Sequence, residues 1–231
     1  MPDYGNYCPV ALGTQVLADR WTPLIVRELI LGNTRFNDIA RGLPGISRTL
    51  LAQRLRHLVR SGVLERDAEG RSGSYVLTPA GRDLEPVVMA LGEWAVRWLY
   101  DELDTSDVDP VTLMWWMHRR VDIEQLPEQR VVVEFDHTSP EPTRIWMLVG
   151  QGEASVCLQP PALDVDVVVQ AATPELAAVF SGSRTWQAAV ADGSIAVAGT
   201  PALTRGLSRW FLWSPFAPAV AARTELASRA S

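Results

Sequence analysis

Lysine does not occur in this 231-residue chain, so all 21 of its basic side chains are arginine. Without lysine there is no Schiff-base amine and no phosphate loop ending in Gly-Lys, which excludes pyridoxal-phosphate chemistry and Walker-type nucleotide binding. Cysteine is nearly as scarce. Cys8 and Cys157 lie far apart, no C-x-x-C pair exists to hold zinc or cycle as a redox couple, and a structural disulfide is not expected. The three histidines, His57, His118 and His137, fall on separate segments with no partner at metal-ligand spacing. A nucleophile elbow, a glycine-rich dinucleotide loop and an H-x-x-x-H pair are also missing. These absences point away from an enzyme, a bound metal or an organic cofactor. No apolar run approaches the roughly 20 residues of a membrane span, and the opening MPDYGNYCPV lacks the basic and apolar regions of a secretion signal. A cytoplasmic protein with no membrane role is expected.

What charge there is divides unevenly. Residues 1–100 carry twelve Arg against ten Asp and Glu, whereas 101–231 carry nine against seventeen, within a chain of net charge −6. Between Ile39 and Leu64 no acidic residue occurs, yet Arg41, Arg48, Arg54, Arg56 and Arg60 all do. A locally basic stretch in an acidic protein points to a polyanionic partner.

The local pattern there is helix, turn, helix, hairpin. Pro9–Ala18 has a helical stripe of Val10, Leu12, Val16 and Leu17. Thr22–Leu31 opens with Pro23 and stops at Gly32-Asn33, and Phe36–Arg41 is a short helix ending in the Leu43-Pro44-Gly45 turn. In the following helix, stepping about 100° per residue from Leu51 puts Leu55 and Leu58 within roughly 40° of it. Thr49, Gln53, Arg56 and Arg60 fall on the opposite side. Ser47 sits where an N-cap is expected, so its hydroxyl can satisfy a free backbone N–H and the helix start can approach a phosphate. By itself this basic face is equally compatible with a solvated side of a structural helix. The hairpin tilts the balance: Val63–Arg66 and Ser74–Leu77 alternate like strands around the tip AEGRSG, which carries Arg71. A basic tip beside a basic helix suits a wing laid along a phosphate backbone. Thr78-Pro79 then opens a long helix, Ala80–Leu103, with Leu84, Val87, Val88, Leu91, Trp94, Ala95 and Trp98 along one side. Such a helix needs a partner to cover it, which points to a homodimer.

Several motifs together resemble the HxlR-type branch of the MarR-like winged helix-turn-helix transcriptional regulators over about residues 7–100. They are Cys8-Pro9, Trp21-Thr22, Arg35-Phe36-Asn37, Leu43-Pro44-Gly45-Ile46-Ser47, Gln53-Arg54-Leu55 and Leu77-Thr78-Pro79-Ala80-Gly81. The resemblance implies a homodimer that places the helix starting at Ser47 in a major groove of double-stranded DNA carrying an inverted repeat. On that reading Thr49, Gln53 and Arg56 face base edges, while Ser47, Arg48, Arg60 and Arg71 meet phosphates. The wing tip departs from the family, with Gly and Ser replacing its usual proline. In some members of this family the cysteine ahead of the first helix is a thiol sensor. Cys8 holds that position, although Tyr4 and Tyr7 beside it fit a packed interface residue equally well.

The acidic run 101–109, DELDTSDVD, marks a boundary, giving domains 1–104 and 105–231. Beyond it a helix from Asp109 to Arg120 precedes strands at Arg130–Phe135, Arg144–Gly150, Glu153–Leu158 and Val165–Ala171. Helices follow at Pro174–Phe180 and Arg184–Ala191, then a strand at Ile195–Val197 and a closing helix at Pro201–Trp213. Strands first and helices later indicate an α+β domain with a largely antiparallel sheet. The order of elements, with Thr173-Pro174-Glu175, Ser181-Gly182-Ser183, Asp192-Gly193 and Gly199, resembles the sterol-carrier-type lipid-transfer fold over about residues 105–217. That resemblance implies an apolar cavity between sheet and helices. Six of the nine tryptophans lie in this half: Trp115, Trp116, Trp146, Trp186, Trp210 and Trp213. They suit the wall of a pocket for a hydrophobic or polycyclic effector, and they could equally fill a core. Two functions are thereby open: a DNA-binding regulator modulated by a small molecule, or a carrier or scaffold in which DNA binding is weak or lost.

Overall fold

Proline begins helices throughout this chain, because the N–H it lacks would go unpaired in a first turn anyway. Pro9, Pro23, Pro79, Pro110, Pro174 and Pro201 each sit within the first turn of a helix. The structure, a computed structural model, describes residues 8–67, 73–99 and 108–230. The chain forms two units, Met1–Leu91 and Gly92–Ser231. The acidic run lies almost wholly outside the described residues.

In the first unit α1 (Pro9–Leu17), α2 (Thr22–Ile30), α3 (Phe36–Arg41) and α4 (Arg48–Arg60) are followed by the hairpin strands β1 (Leu64–Arg66) and β2 (Tyr75–Leu77). Ile25, Val26, Ile39, Leu51, Leu55 and Leu58 are fully buried and make its core. The expected stripe on α1 differs: none of its residues is buried, Val10 is 72% exposed, and only Val16 packs partly against the core. Tyr75 N donates to Thr34 O at 2.8 Å, tying the hairpin to the segment before α3.

Two glycines show how tightly this unit closes. Gly42, at the C-cap of α3, has an ordinary φ of −73° that any residue can adopt. Its bareness is required by a neighbour instead, since a Cβ there would lie 1.9 Å from Glu28 Oε2. Glu28 is 1% exposed and accepts from Asn33 Nδ2 at 2.6 Å and from Arg27 Nη2 at 2.6 Å. Arg27 Nη2 also reaches Gly42 O at 3.3 Å. Gly81, in α5 (Pro79–Arg82), is held against the turn after α4, where a Cβ would lie 2.2 Å from Val63 O. Thr78 secures the same turn, donating to Gly62 O at 2.6 Å while accepting from Gly81 N at 3.1 Å.

The long helix expected over Ala80–Leu103 is two helices, α5 and α6 (Glu85–Leu99), separated at Asp83-Leu84. Pro86 explains the break. It has no N–H to give to residue 82, and its ring would collide with that residue's carbonyl in a continuous helix. Residues 100–103 lie outside the described set.

The second unit contains α7 (Pro110–His118) and the strands β3 (Val131–His137), β4 (Thr143–Gly150), β5 (Glu153–Cys157) and β6 (Val167–Ala171). Then come α8 (Thr173–Ser181), α9 (Trp186–Ala191), β7 (Ile195–Gly199), α10 (Pro201–Gly206) and α11 (Ala217–Ala230). The strands form one five-stranded sheet in the order β5-β4-β3-β6-β7, antiparallel except for the parallel β3–β6 pair. Register puts the apolar residues on one face: Val133 opposes Met147 and Val167, and Phe135 opposes Ile145 and Val169. Met114 and Met117 of α7, Leu176 of α8 and Ala189 of α9 pack in the same cluster, each at most 1% exposed. The space expected to form a cavity between sheet and helices is therefore filled by side chains. The opposite face carries polar partners, with Arg144 reaching Asp136 at 3.5 Å and Trp146 Nε1 donating to Glu134 at 2.9 Å.

The closing helix expected at Pro201–Trp213 stops at Gly206. A tight helical turn follows at Leu207–Trp210, and then the chain extends. The segment after α7 causes this by pairing with it: Asp122 N donates to Trp210 O at 2.8 Å, and Leu212 N donates to Arg120 O at 2.7 Å. α11 has no counterpart in the sequence expectations.

Gly42→Ala forces the Glu28 carboxylate off its donors, and breaking a buried charge network should cost about 3 kcal/mol of unfolding free energy in denaturant melts. A loss under about 0.5 kcal/mol would mean that Glu28 has room to move. His137 is 1% exposed and shares a hydrogen bond of 3.0 Å with Thr173 Oγ1. Burial lowers its pKa below the usual 6.5, against the opposing charges of Asp136 and Asp109. The unfolded chain thus takes up this proton at higher pH than the folded one, so the contribution of neutral His137 is complete above about pH 6.5 and is lost as pH falls through the folded value. Unfolding free energy measured from about pH 8 to 5 should decline, and His137→Gln should make that decline shallower.

Candidate nucleic-acid interface

α4 exists because its apolar residues recur at helical spacing and because Ser47 caps it, accepting from Leu50 N at 3.2 Å. Burial of Leu51, Leu55 and Leu58 turns the opposite side outward, where Thr49, Gln53, Arg56 and Arg60 are all exposed. These four residues form one continuous polar and cationic strip.

The other three arginines of the stretch are already engaged, Arg41 with Asp38 at 3.3 Å. Arg54 forms an ion pair with Asp19. Arg48, also exposed, donates to Asn37 Oδ1 at 2.9 Å and lies 4.9 Å from the centre of the Phe36 ring. Arg48 is thereby held at the edge of the strip beside α3.

Arg56 and Arg60 share a hollow of about 240 Å³ with Val59, Arg66 and Tyr75. Arg66, on β1, was not among the residues expected from sequence, and it sits 5.9 Å from the centre of the Tyr75 ring. Three guanidinium groups around one hollow, with no acidic residue among the described residues of its lining, can take up an anion such as a backbone phosphate. A sequence signal existed: Arg66 is the last outward residue of the first strand, at the base of the wing and next to the basic helix. Arg71 and the rest of the tip, residues 68–72, lie outside the described residues.

Cys8 is exposed at the N-cap of α1, where its side chain makes no capping hydrogen bond. Both cysteines are free. The neighbouring Tyr4 and Tyr7 lie outside the described residues.

The six tryptophans of the second unit are dispersed. Trp210 and Trp186 belong to the core at 4% and 8% exposure. Trp146 lies on the polar face of the sheet, opposite Glu134. Trp115 and Trp116 are half-buried on α7, and the Trp115 ring lies 4.4 Å from that of His118. Only Trp186 and Trp213 of the six line a cleft of about 580 Å³, whose walls come from α8, α9, the turn before Phe211 and the start of α11. Among the described residues no group of His, Cys, Asp and Glu could hold a metal, and no helix is long and apolar enough to cross a membrane.

Residues 16–103 match the HxlR-like helix-turn-helix family. Over 87 residues the chain is 36% identical to the uncharacterized HTH-type transcriptional regulator YvaP of Bacillus subtilis, covering 36% of this chain and 81% of that protein. It is 34% identical over 101 residues to an uncharacterized HTH-type transcriptional regulator of Synechocystis, covering 42% of this chain and 75% of the relative. The solved reduced form of the transcriptional regulator YodB from Bacillus subtilis is 31% identical, with a TM-score of 0.36, over 42% of this chain and 98% of that one. Given this identity over most of the relatives' length, together with a capped, basic-faced α4 followed by a hairpin, the chain belongs to the HxlR-like helix-turn-helix family.

Proposed function

We propose that the protein is a homodimeric transcriptional regulator that binds an inverted-repeat operator through α4 and whose second unit takes an apolar small molecule that alters operator affinity. The exposed strip of Thr49, Gln53, Arg56 and Arg60, continuous with the three-arginine hollow, carries this reading. Thr49, Gln53 and Arg56 face base edges. Ser47, Arg48, Arg60 and Arg71 meet phosphates, and Arg66 joins them.

The homodimer is supported by α6. Val87, Leu91, Trp94 and Trp98 recur at spacings of four, three and four, and they are 51%, 52%, 52% and 67% exposed. A helix with such a stripe turned to water is normally covered by another chain. α1 buries none of its own residues and presents Val10 and Leu12 as further apolar surface. The second unit resembles the sterol-carrier-type fold in its element order, and its helices gather on one face of the sheet. The cleft beside Trp186 and Trp213 is the site for the effector.

Gel shifts with operator and random duplex test the DNA reading. Gln53→Ala should cost on the order of 1–3 kcal/mol against operator and relax specificity, whereas Arg60→Ala should weaken both duplexes alike and reduce the salt slope by about 1. Equal losses on both duplexes for Gln53→Ala would remove that residue from base recognition. For the dimer, Leu91→Glu is placed at a position half-exposed in the protomer, so the fold should persist while the seam takes a buried charge costing several kcal/mol. Sedimentation should show monomer; a persistent dimer would put the seam elsewhere.

A further inference from the structure

The cleft in the second unit has a charge opposite to that of its surroundings. Residues 101–231 carry seventeen acidic side chains and nine arginines, yet among the described residues the cleft is lined by Arg120, Arg184 and Arg209 and by no Asp or Glu. Arg184 is neutralised by its ion pairs with Glu175 and Asp192. Among the described residues, Arg120 and Arg209 have no carboxylate partner. Arg120 donates Nε to Trp213 O at 2.8 Å, which leaves its two terminal nitrogens for another acceptor. Burial lowers the Arg120 pKa, the mark of a cation partly stripped of water. Such a cation gains most from a fixed anion.

The apolar wall is aromatic. Trp213 lies with its ring centre 6.0 Å from that of Trp186 and 5.4 Å from that of Phe211. Its backbone has φ of +53°, a left-handed conformation unfavourable for a bulky side chain. The carbonyl bond to Arg120 holds it there, so one contact fixes both the aromatic wall and a cation beside it. The volume of about 580 Å³ is that of a small-molecule site.

We propose that this cleft binds a flat aromatic compound bearing one acidic group, its ring against Trp213 and its anion at Arg209 and Arg120. The proposal rests on the effector reading above and adds to it the chemical class of the ligand. A neutral polycycle of the same shape would leave both guanidinium groups unanswered.

Calorimetric titration of the full-length protein with naphthoate and with its neutral isostere naphthamide tests it, with and without operator DNA. The acid should bind about tenfold or more tightly than the amide, the gain expected of a charge-assisted hydrogen bond. Arg209 is exposed, so Arg209→Glu should fold. It should weaken the acid by at least about tenfold and change the amide by less than about twofold. Equal binding of acid and amide, or an acid affinity untouched by Arg209→Glu, overturns the proposal while leaving a neutral effector site standing. Binding of neither compound overturns the aromatic site altogether. Preferential acid binding that does not alter operator affinity upholds the ligand class and removes the coupling proposed for the regulator, because coupling must be reciprocal.

Discussion

The position of the basic helix depends on a buried carboxylate. Glu28 sits on the core side of α2, receives Asn33 from the turn that ends that helix, and is bracketed by Arg27, which also reaches the carbonyl of Gly42. Three consecutive structural steps, the end of α2, the end of α3 and the turn into α4, thus meet at one charge. A buried charge that loses its donors is costly, so the arrangement tolerates little sliding of α3 against α2. Since Ser47 starts α4 only five residues after Gly42, the direction of the exposed strip is inherited from that junction. Apolar packing of Ile25, Ile39 and Leu51 supplies most of the burial, but apolar contacts are forgiving in direction where hydrogen bonds are not.

The second unit solves a different problem. Its sheet is sealed on one face by α7, α8 and α9, whose methionines and small residues fill the irregular space over Phe135 and Met147. With that interior occupied, free volume is displaced to the periphery, where the chain leaves α10 and is pulled straight by Arg120 and Asp122. The cleft is a by-product of ending a helix early. Its arginine and tryptophan walls come from segments that are adjacent only because Leu212 and Trp210 pair with the strand-like stretch after α7.

Much of this was legible in sequence, and the reasons are local. α4 was readable because a three-leucine face, an N-cap serine and an absence of acidic residues coincide over thirteen residues. β3, β4 and β6 were readable because short runs of β-branched and other apolar residues, Val131–Val133, Ile145–Val149 and Val167–Val169, recur at strand length. The sheet's parallel β3–β6 pair was not, since strand order is decided by crossover packing rather than by any strand's own residues. The break in the long helix could have been found at Pro86. The apolar residues around it, Leu84, Val87, Val88 and Leu91, recur at helical spacing and concealed it. Glu28 carried a signal as well, because a charge three residues after Ile25 and one before Leu29 lies on the buried stripe and must therefore be paired.

The cleft was illegible for a stronger reason. A tryptophan's role depends on which side of the sheet or helix it occupies, and composition does not carry that. Trp146 differs from its inward neighbours Ile145 and Met147 by a single step of the strand, and that step turns it to the polar face beside Glu134. Arg120 and Arg209 have no pattern in common and stand nearly ninety residues apart in the chain. What joins them is the cleft that both line, where the carbonyl of the left-handed Trp213 accepts from Arg120. A site assembled by one backbone exception and two distant cations leaves no periodic trace, so its chemistry becomes readable only once the chain has been folded back on itself.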